Sequence, residues 1–440
     1  MLFVPLVAAG MRLASQSTAN LSYLLIAGYA LKGRAQALQA LVLSWLFSML
    51  SSAIAPQASM ASSGRYAALT AAAISMVIHK PAVSSLRTGT PLVQATLLLG
   101  SFFVGHALFF SSVADVSVLK GVSWTLAMTT AIAGWSGVSE HWRELLRQQL
   151  FGGLVVVLVI SLPLLVMRDG YLVNGTGFQG IFLHPQSFGL TMALLGAWAT
   201  TRMVALRRPP WSLVLLSSLC LGLVALSEAR TAALALVLGV AAAVVATPAL
   251  SGRPLLSLMP GLRRARVQIV MGLSLVGLII AWFFVADRAQ AFIAKGSGTE
   301  GLVEAYQISR GGLMEGMREN IREHPWQGIG FGVASLPELM IVERDPILDL
   351  PTGAAIEKGV MPMAVLEEVG LLGLLFVTTW LWIMLKHCAR AGVGPMGVLI
   401  VVLVLNMGEF SLFSPGGVGL IEMILLGWAA TGEPVIKRRR

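Results

Sequence analysis

The sequence predicts an all-α polytopic membrane protein of about 12–14 transmembrane helices, with one long extramembrane loop that contains an amphipathic helix. Three observations carry this expectation. Of 440 residues, 56% are hydrophobic and only 12% are charged, with a mean hydropathy of +0.80, whereas a typical soluble domain carries about 25% charged residues. Apolar stretches of bilayer length recur from one end of the chain to the other. These stretches lack the two-residue alternation of barrel strands, and unpaired backbone groups cannot be left in hydrocarbon, so each must be a helix.

In chain order the apolar runs fall at about 2–13, 18–31, 37–54, 64–79, 93–111, 119–138, 150–167, 182–201, 211–227, 231–249, 267–286, 364–385, 395–412 and 416–431. The first segment, Met1 to Gln16, has a short apolar core with no basic stretch before it and Arg12 after it, the reverse of a signal peptide, so a retained segment is expected. Cys220 lies inside an apolar run and Cys388 in a basic loop, which offers neither a disulfide framework nor metal-type spacing. No 20–50-residue repeat and no low-complexity linker interrupts the chain. The expected organisation is N-terminal transmembrane helices over 1–175, a transmembrane core over 176–287, a long loop over 288–363, and three helices with a basic tail over 364–440.

The net charge of +10 does not point to nucleic acid, because the basic residues sit in short clusters between apolar runs, without aromatic interleaving. With the first residue inside, alternate loops carry Lys32 and Arg34; Lys80 and Arg87; Arg143 and Arg147; Arg202, Arg207 and Arg208; Arg253, Arg263, Arg264 and Arg266; Lys386 and Arg390; and the tail Lys437 to Arg440. Those are 19 of the 31 basic residues, against five at the short loops of the other side, Arg12, Arg65, Lys120, Arg168 and Arg230. This asymmetry predicts a cytoplasmic tail. The long connection then lies outside and holds ten of the 21 acidic residues. Within it Tyr306, Leu313, Met314, Met317 and Ile321 recur at helical spacing and His324-Pro325 follows, which predicts an amphipathic helix on the outer membrane surface.

Charged groups at membrane depth are expensive, so they are the first candidates for chemistry. Between Trp211 and Leu250 the only charges are Glu228 and Arg230, which must mark a hairpin. Two readings stand side by side: Ser227 or Glu228 caps the second helix while Arg230 reaches the headgroups, or Arg230 faces a cavity and holds an anion with its planar fork. Arg310 is either a solvated charge or a second anion ligand. His184, before Pro185, is either a base or a helix-entry residue bonded to backbone. Asn174-Gly175-Thr176 fits a glycosylation sequon, which matters only in a eukaryotic secretory setting.

Several segments taken in order resemble the O-antigen ligase and O-antigen polymerase superfamily of bacterial envelope proteins. They are Gly180-Ile-Phe-Leu-His184-Pro185-Gln-Ser-Phe-Gly189, Ser227-Glu-Ala-Arg230-Thr, Ser309-Arg310, Glu323-His-Pro325-Trp-Gln-Gly328-Ile-Gly330-Phe-Gly332, and Leu366-Glu-Glu368-Val-Gly370-Leu-Leu-Gly373. The resemblance covers about residues 175–385, and its specificity lies in order and spacing rather than in any single motif. It implies a multi-pass glycosyltransferase of the GT-C type in the bacterial inner membrane, with its active site facing the periplasm. The implied substrate is glycan on an undecaprenyl-diphosphate carrier, with membrane lipids and other polysaccharide assembly proteins as partners, no nucleic acid, no cofactor and no metal. Arg230 and Arg310 would hold the diphosphate and stabilise the charge that accumulates on it as it leaves.

One feature departs from the family pattern. Ligases of this type commonly carry a His-Asn pair about nine residues before the Glu of the Glu-x-Gly helix start, and no histidine occurs from Pro351 to Val360. The titratable neighbours are Glu357 and Lys358, either of which would take a proton if tuned by burial, or both are ordinary charges at the foot of a helix. The expected catalytic set is therefore Glu357, Lys358 and His184, with Glu228, Glu368 and Glu409 in support. Glu367-Glu368 can equally be helix-dipole partners, and Glu409 can pair with an arginine. The missing histidine favours a polysaccharide polymerase over transfer to another acceptor. The competing class is a flippase of lipid-linked sugars, which fourteen spans would suit, and a scaffold for envelope assembly is a third.

Overall fold

A computed structural model describes residues 3–81, 86–172, 175–265, 267–268, 314–344, 351–354 and 358–432. Helices α1 (Phe3–Ala14), α2 (Gln16–Ala30), α3 (Arg34–Met49), α4 (Ala61–Ile78), α5 (Leu86–Phe110), α6 (Ala114–Gly137), α7 (Glu140–Ser161), α8 (Pro185–Ala205), α9 (Trp211–Leu226) and α10 (Arg230–Ser251) follow one another in sequence. The one-turn α11 (Leu255–Leu258) comes next, then a helix over residues 314–323 (α12), then α13 (Met361–Ala391), α14 (Val393–Leu405) and α15 (Gly417–Ala430). Every predicted apolar run among the described residues coincides with a helix; the run 267–286 lies outside them from residue 269 on. Among the described residues five helical segments are long and apolar enough to cross a membrane: Pro91–Phe110, Ala114–Gly137, Glu140–Val166, Arg230–Ser251 and Met361–Ala391. The protein is an all-α membrane protein.

Helix limits follow local chemistry. Ser15 and Thr18 form a reciprocal capping box at the start of α2. Gly252, at φ 65°, closes α10 in the left-handed region. Helix α14 stops short of the predicted 412, because the Asn406 side chain turns back to accept the Ser411 and Leu412 N–H groups. The long loop also contains a short antiparallel pair that the sequence did not suggest, β1 (Val342–Arg344) with β2 (Pro351–Ala354).

Three buried tryptophans of the bundle find partners for their indole N–H groups. Trp124 Nε1 donates to Leu412 O at 3.2 Å, Trp135 Nε1 to Ile424 O at 3.0 Å, and Trp380 Nε1 to Thr96 Oγ1 at 2.9 Å. Phe103 stacks on Phe331 with ring centroids 4.0 Å apart, which fixes the loop after α12 onto α5.

Backbone contacts sort the loops into two ends. At one end Ser51 N donates to Ile181 O, Phe178 N to Leu226 O, Ser112 N to Ile329 O and Phe410 N to Lys358 O. At the opposite end Arg34 bonds to His79 O and Ala133 O, Arg143 to Trp135 O, and Arg264 to Arg207 O. The basic loops thus gather at the end remote from Arg230.

Candidate functional site

Three segments meet at the first end because glycines let them approach. A Cβ on Gly189 of α8 would lie 2.4 Å from Ser227 Oγ and 2.5 Å from Ala229 Cβ. Gly177, at φ 62°, passes 3.0 Å from Pro185 Cγ and 3.3 Å from Ser227 O by the same measure. Gly408 admits Thr231, whose Oγ1 would be 2.4 Å from a Cβ there. The α9–α10 hairpin adds Glu228, which is held at φ 55°, an uncommon conformation for a residue with a side chain.

Between these segments lies a cavity of about 170 Å³, lined mainly by polar atoms, on which His184, Gln186, Glu228, Arg230, Thr231 and Glu409 converge. That is comparable with a cavity that holds benzene, of about 150 Å³, so a sugar ring or a phosphate fits in size. Four of the candidate residues, His184, Arg230, Glu228 and Glu409, which the sequence assigns to different roles, lie on this one cavity. Gln186 and Thr231 were not foreseen. The signal that could have found them is position, two residues after His184 and one after Arg230.

His184 is the N-cap of α8, and its Nδ1 accepts the Gln186 N–H at 3.2 Å. A ring nitrogen that accepts from a backbone N–H carries no proton, so the neutral ring holds its proton on Nε2 and can donate from there. Gln186 Nε2 in turn donates to Glu409 Oε1. Glu228 Oε1 accepts Gly177 N–H at 3.4 Å. Arg230 is the first residue of α10, so the N-termini of α8 and α10 and a guanidinium all lie at the cavity, a setting that favours an anion. The two carboxylates supply acceptors for hydroxyl groups.

Lys358 and Glu368 form a second cluster. Lys358 is 3% exposed, and its Nζ lies 2.8 Å from Glu367 Oε2 and 3.2 Å from Glu368 Oε1. Asn320 Nδ2 of α12 donates to Glu367 Oε1 at 2.7 Å, and Gly332 N donates to Glu368 Oε2 at 2.7 Å. Between two carboxylates the ammonium has no lone pair to offer, so Lys358 is placed as a buried ion partner. Glu368 holds the loop and the lysine together, and is no mere dipole partner at a helix start. Arg310 and Glu357 lie outside the described residues.

The glycines of 328–332 serve this cluster. Helix α13 breaks at Gly370, φ 64°, and the carbonyls freed there accept Ile329 N–H and Gly330 N–H, both at 2.9 Å. Gly328, Gly330 and Gly332 all have positive φ. Residues 314–323 are helical, as the spacing predicts, and the helix docks on the bundle through the buried Met317 and the half-buried Asn320. Tyr306 and Leu313 lie outside the described residues. The two clusters are linked through Phe410 N, 3.2 Å from Lys358 O, one residue after Glu409.

A second cavity of about 160 Å³ between α3 and α7, walled by Leu38, Trp45, Leu150 and Leu154, is almost wholly apolar and presents no ionisable group. Among the described residues no group of three or more His, Cys, Asp or Glu is arranged to hold a metal ion. Compared with protein-family models and with curated proteins, the chain matches none.

Proposed function

We propose that this protein is a polysaccharide polymerase of the bacterial envelope, a GT-C type glycosyltransferase that joins undecaprenyl-diphosphate-linked oligosaccharides at the periplasmic face of the inner membrane. The observation that carries the reading is the polar cavity onto which Arg230, His184, Glu228 and Glu409 open at the end of the bundle away from the basic loops. In this reading the Arg230 end faces the periplasm and the basic loops face the cytoplasm, following the positive-inside rule.

The chemistry follows from the lining. An acceptor hydroxyl attacks the anomeric carbon of the donor sugar, and the bond to the carrier diphosphate breaks. The electron pair leaves with the diphosphate, where Arg230 and the N-terminus of α10 stabilise it. The hydroxyl proton goes to a carboxylate of the cavity, and Glu409, oriented by Gln186, is the acceptor placed for it. His184 donates from Nε2 to a sugar oxygen. Arg310 joins as a second phosphate ligand on the sequence pattern alone.

The test is purified protein in sealed proteoliposomes with undecaprenyl-diphosphate-linked oligosaccharide. Longer glycan and released undecaprenyl diphosphate are expected, both lost in Arg230→Ala at unchanged protein level. Relocation of the lipid-linked sugar across the bilayer without either product would replace this reading with a flippase, and transfer to a different acceptor with a ligase.

A further inference from the structure

At the end of the bundle remote from Arg230, two connections far apart in sequence are locked together. The first, residues 206–210, leaves α8; the second, residues 252–264, leaves α10 and contains α11. Gly261 is buried, and a Cβ on it would lie 2.7 Å from both Met203 O and Val204 O and 2.8 Å from Leu206 O, so the second connection sits directly on the last turn of α8. Arg264 Nε donates to Arg207 O at 2.7 Å, and Arg264 N donates to Gly261 O at 2.9 Å. Leu258 and Met259 complete the join by packing into a small core with Met203, Val204, Leu213 and Val214.

The joined backbone brings the pairs Arg207-Arg208 and Arg263-Arg264 to one surface, where all four residues are exposed. Among the described residues no carboxylate pairs with any of them. Between Asp169 and Asp287 the chain has one acidic residue, Glu228, which lies at the opposite end. On α7, Glu144 is engaged by Arg147 and Gln148. Like charges held in one place repel one another, and the free carbonyls at the end of α8 set only about half a charge against them.

Beside the arginines, α11 turns Leu255 and Leu256 outward, 37% and 41% exposed, while Leu258 of the same turn is buried. The surface is therefore cationic on one side and apolar on the other. A topology signal needs only positive charge in a loop; it needs neither the close seat of Gly261 nor the bond from Arg264 to Arg207. An anionic amphiphile uses both halves of such a surface. We propose that this face, formed by Arg207, Arg208, Arg263 and Arg264 with Leu255 and Leu256, binds an anionic phospholipid of the bilayer leaflet at the basic end. The guanidinium groups take the headgroup phosphate and the leucines meet the first carbons of its acyl chains. This site is independent of the glycosyl-transfer reading.

The test uses the full-length protein, stripped of lipid in a neutral detergent and titrated with phosphatidylglycerol or with phosphatidylcholine, the bound lipid being counted by native mass spectrometry. Phosphatidylglycerol is expected to bind at least tenfold more tightly, and millimolar inorganic phosphate is expected not to displace it. Arg208→Gln with Arg263→Gln, which leaves the Arg264 to Arg207 bond in place, should weaken phosphatidylglycerol roughly thirtyfold, from about fivefold per arginine at an anionic surface. Lys32→Gln with Lys80→Gln, two exposed lysines of other basic loops, should stay within about twofold of wild type. Leu255→Ser with Leu256→Ser should also weaken binding, at an unchanged thermal midpoint. Equal affinity of wild type for the two lipids overturns the proposal. An equal loss in the two double basic variants would mean diffuse surface charge, and displacement by phosphate would mean a site for a free anion; either overturns it as well.

Discussion

Lys358 Nζ and Glu367 Oε2 face each other at 2.8 Å with both side chains completely out of solvent. Glu368 adds a second carboxylate at 3.2 Å, and Asn320 and Gly332 fill acceptor positions that the lysine leaves. A buried charge is tolerable only while its partners remain, so this pair is the point at which the loop end and the helical bundle depend on each other.

Removing one partner is therefore expected to be worse than removing all. Lys358→Met should destabilise by about 3–5 kcal/mol by stranding two carboxylates, read as a lower midpoint in thermal unfolding of the detergent-solubilised protein. The triple variant Lys358→Met, Glu367→Gln, Glu368→Gln should recover part of that loss. Equal midpoints for the single variant and wild type would show that the pair contributes nothing.

Two glycines with the same sign of φ should respond very differently to alanine. At Gly370 a Cβ would lie 2.1 Å from Trp326 O, so Gly370→Ala must displace the loop that docks there and should abolish stable folded protein. At Gly175, φ 77°, nothing among the described residues lies within 4 Å of an added Cβ, and Gly175→Ala should cost only the backbone strain of about 1–2 kcal/mol. Size-exclusion yield of the two variants side by side checks the contrast.

At the cavity, Arg230→Ala should lower kcat by roughly 10²–10³, the range for loss of one electrostatic stabiliser of a transition state. Arg230→Lys keeps the charge but not the planar fork and should recover only part of it. Glu409→Gln should lower kcat by about 10²–10⁴ with little change in KM, as for a lost general base. A Glu409→Gln enzyme with normal kcat would leave the proton acceptor elsewhere.

Cys220 and Cys388 are both free and buried, in α9 and α13. A thiol packed out of reach of the reagent does not react, so neither should be labelled by a maleimide in the folded protein, and both should react after unfolding in SDS. Labelling of the native protein at either site, followed by mass spectrometry, would contradict the packing described.

The helices were legible in the sequence because a bilayer forces a local rule: a run of apolar residues must satisfy its own backbone, so composition alone marks α1–α10 and α13–α15. The candidate residues around Arg230 were legible too, since charges are rare in such a chain and Glu228 and Arg230 stand alone between two apolar runs. What Lys358 does was not legible. Whether an ammonium beside a helix start is a proton acceptor or an ion partner depends on which carboxylates, nine and ten residues on, fold back against it. The sequence by itself determined that the protein is a bundle of apolar helices with a few charges between them. Only the tertiary structure decided which of those charges share a cavity and which neutralise one another, because hydrophobic periodicity is local and electrostatic pairing acts through space.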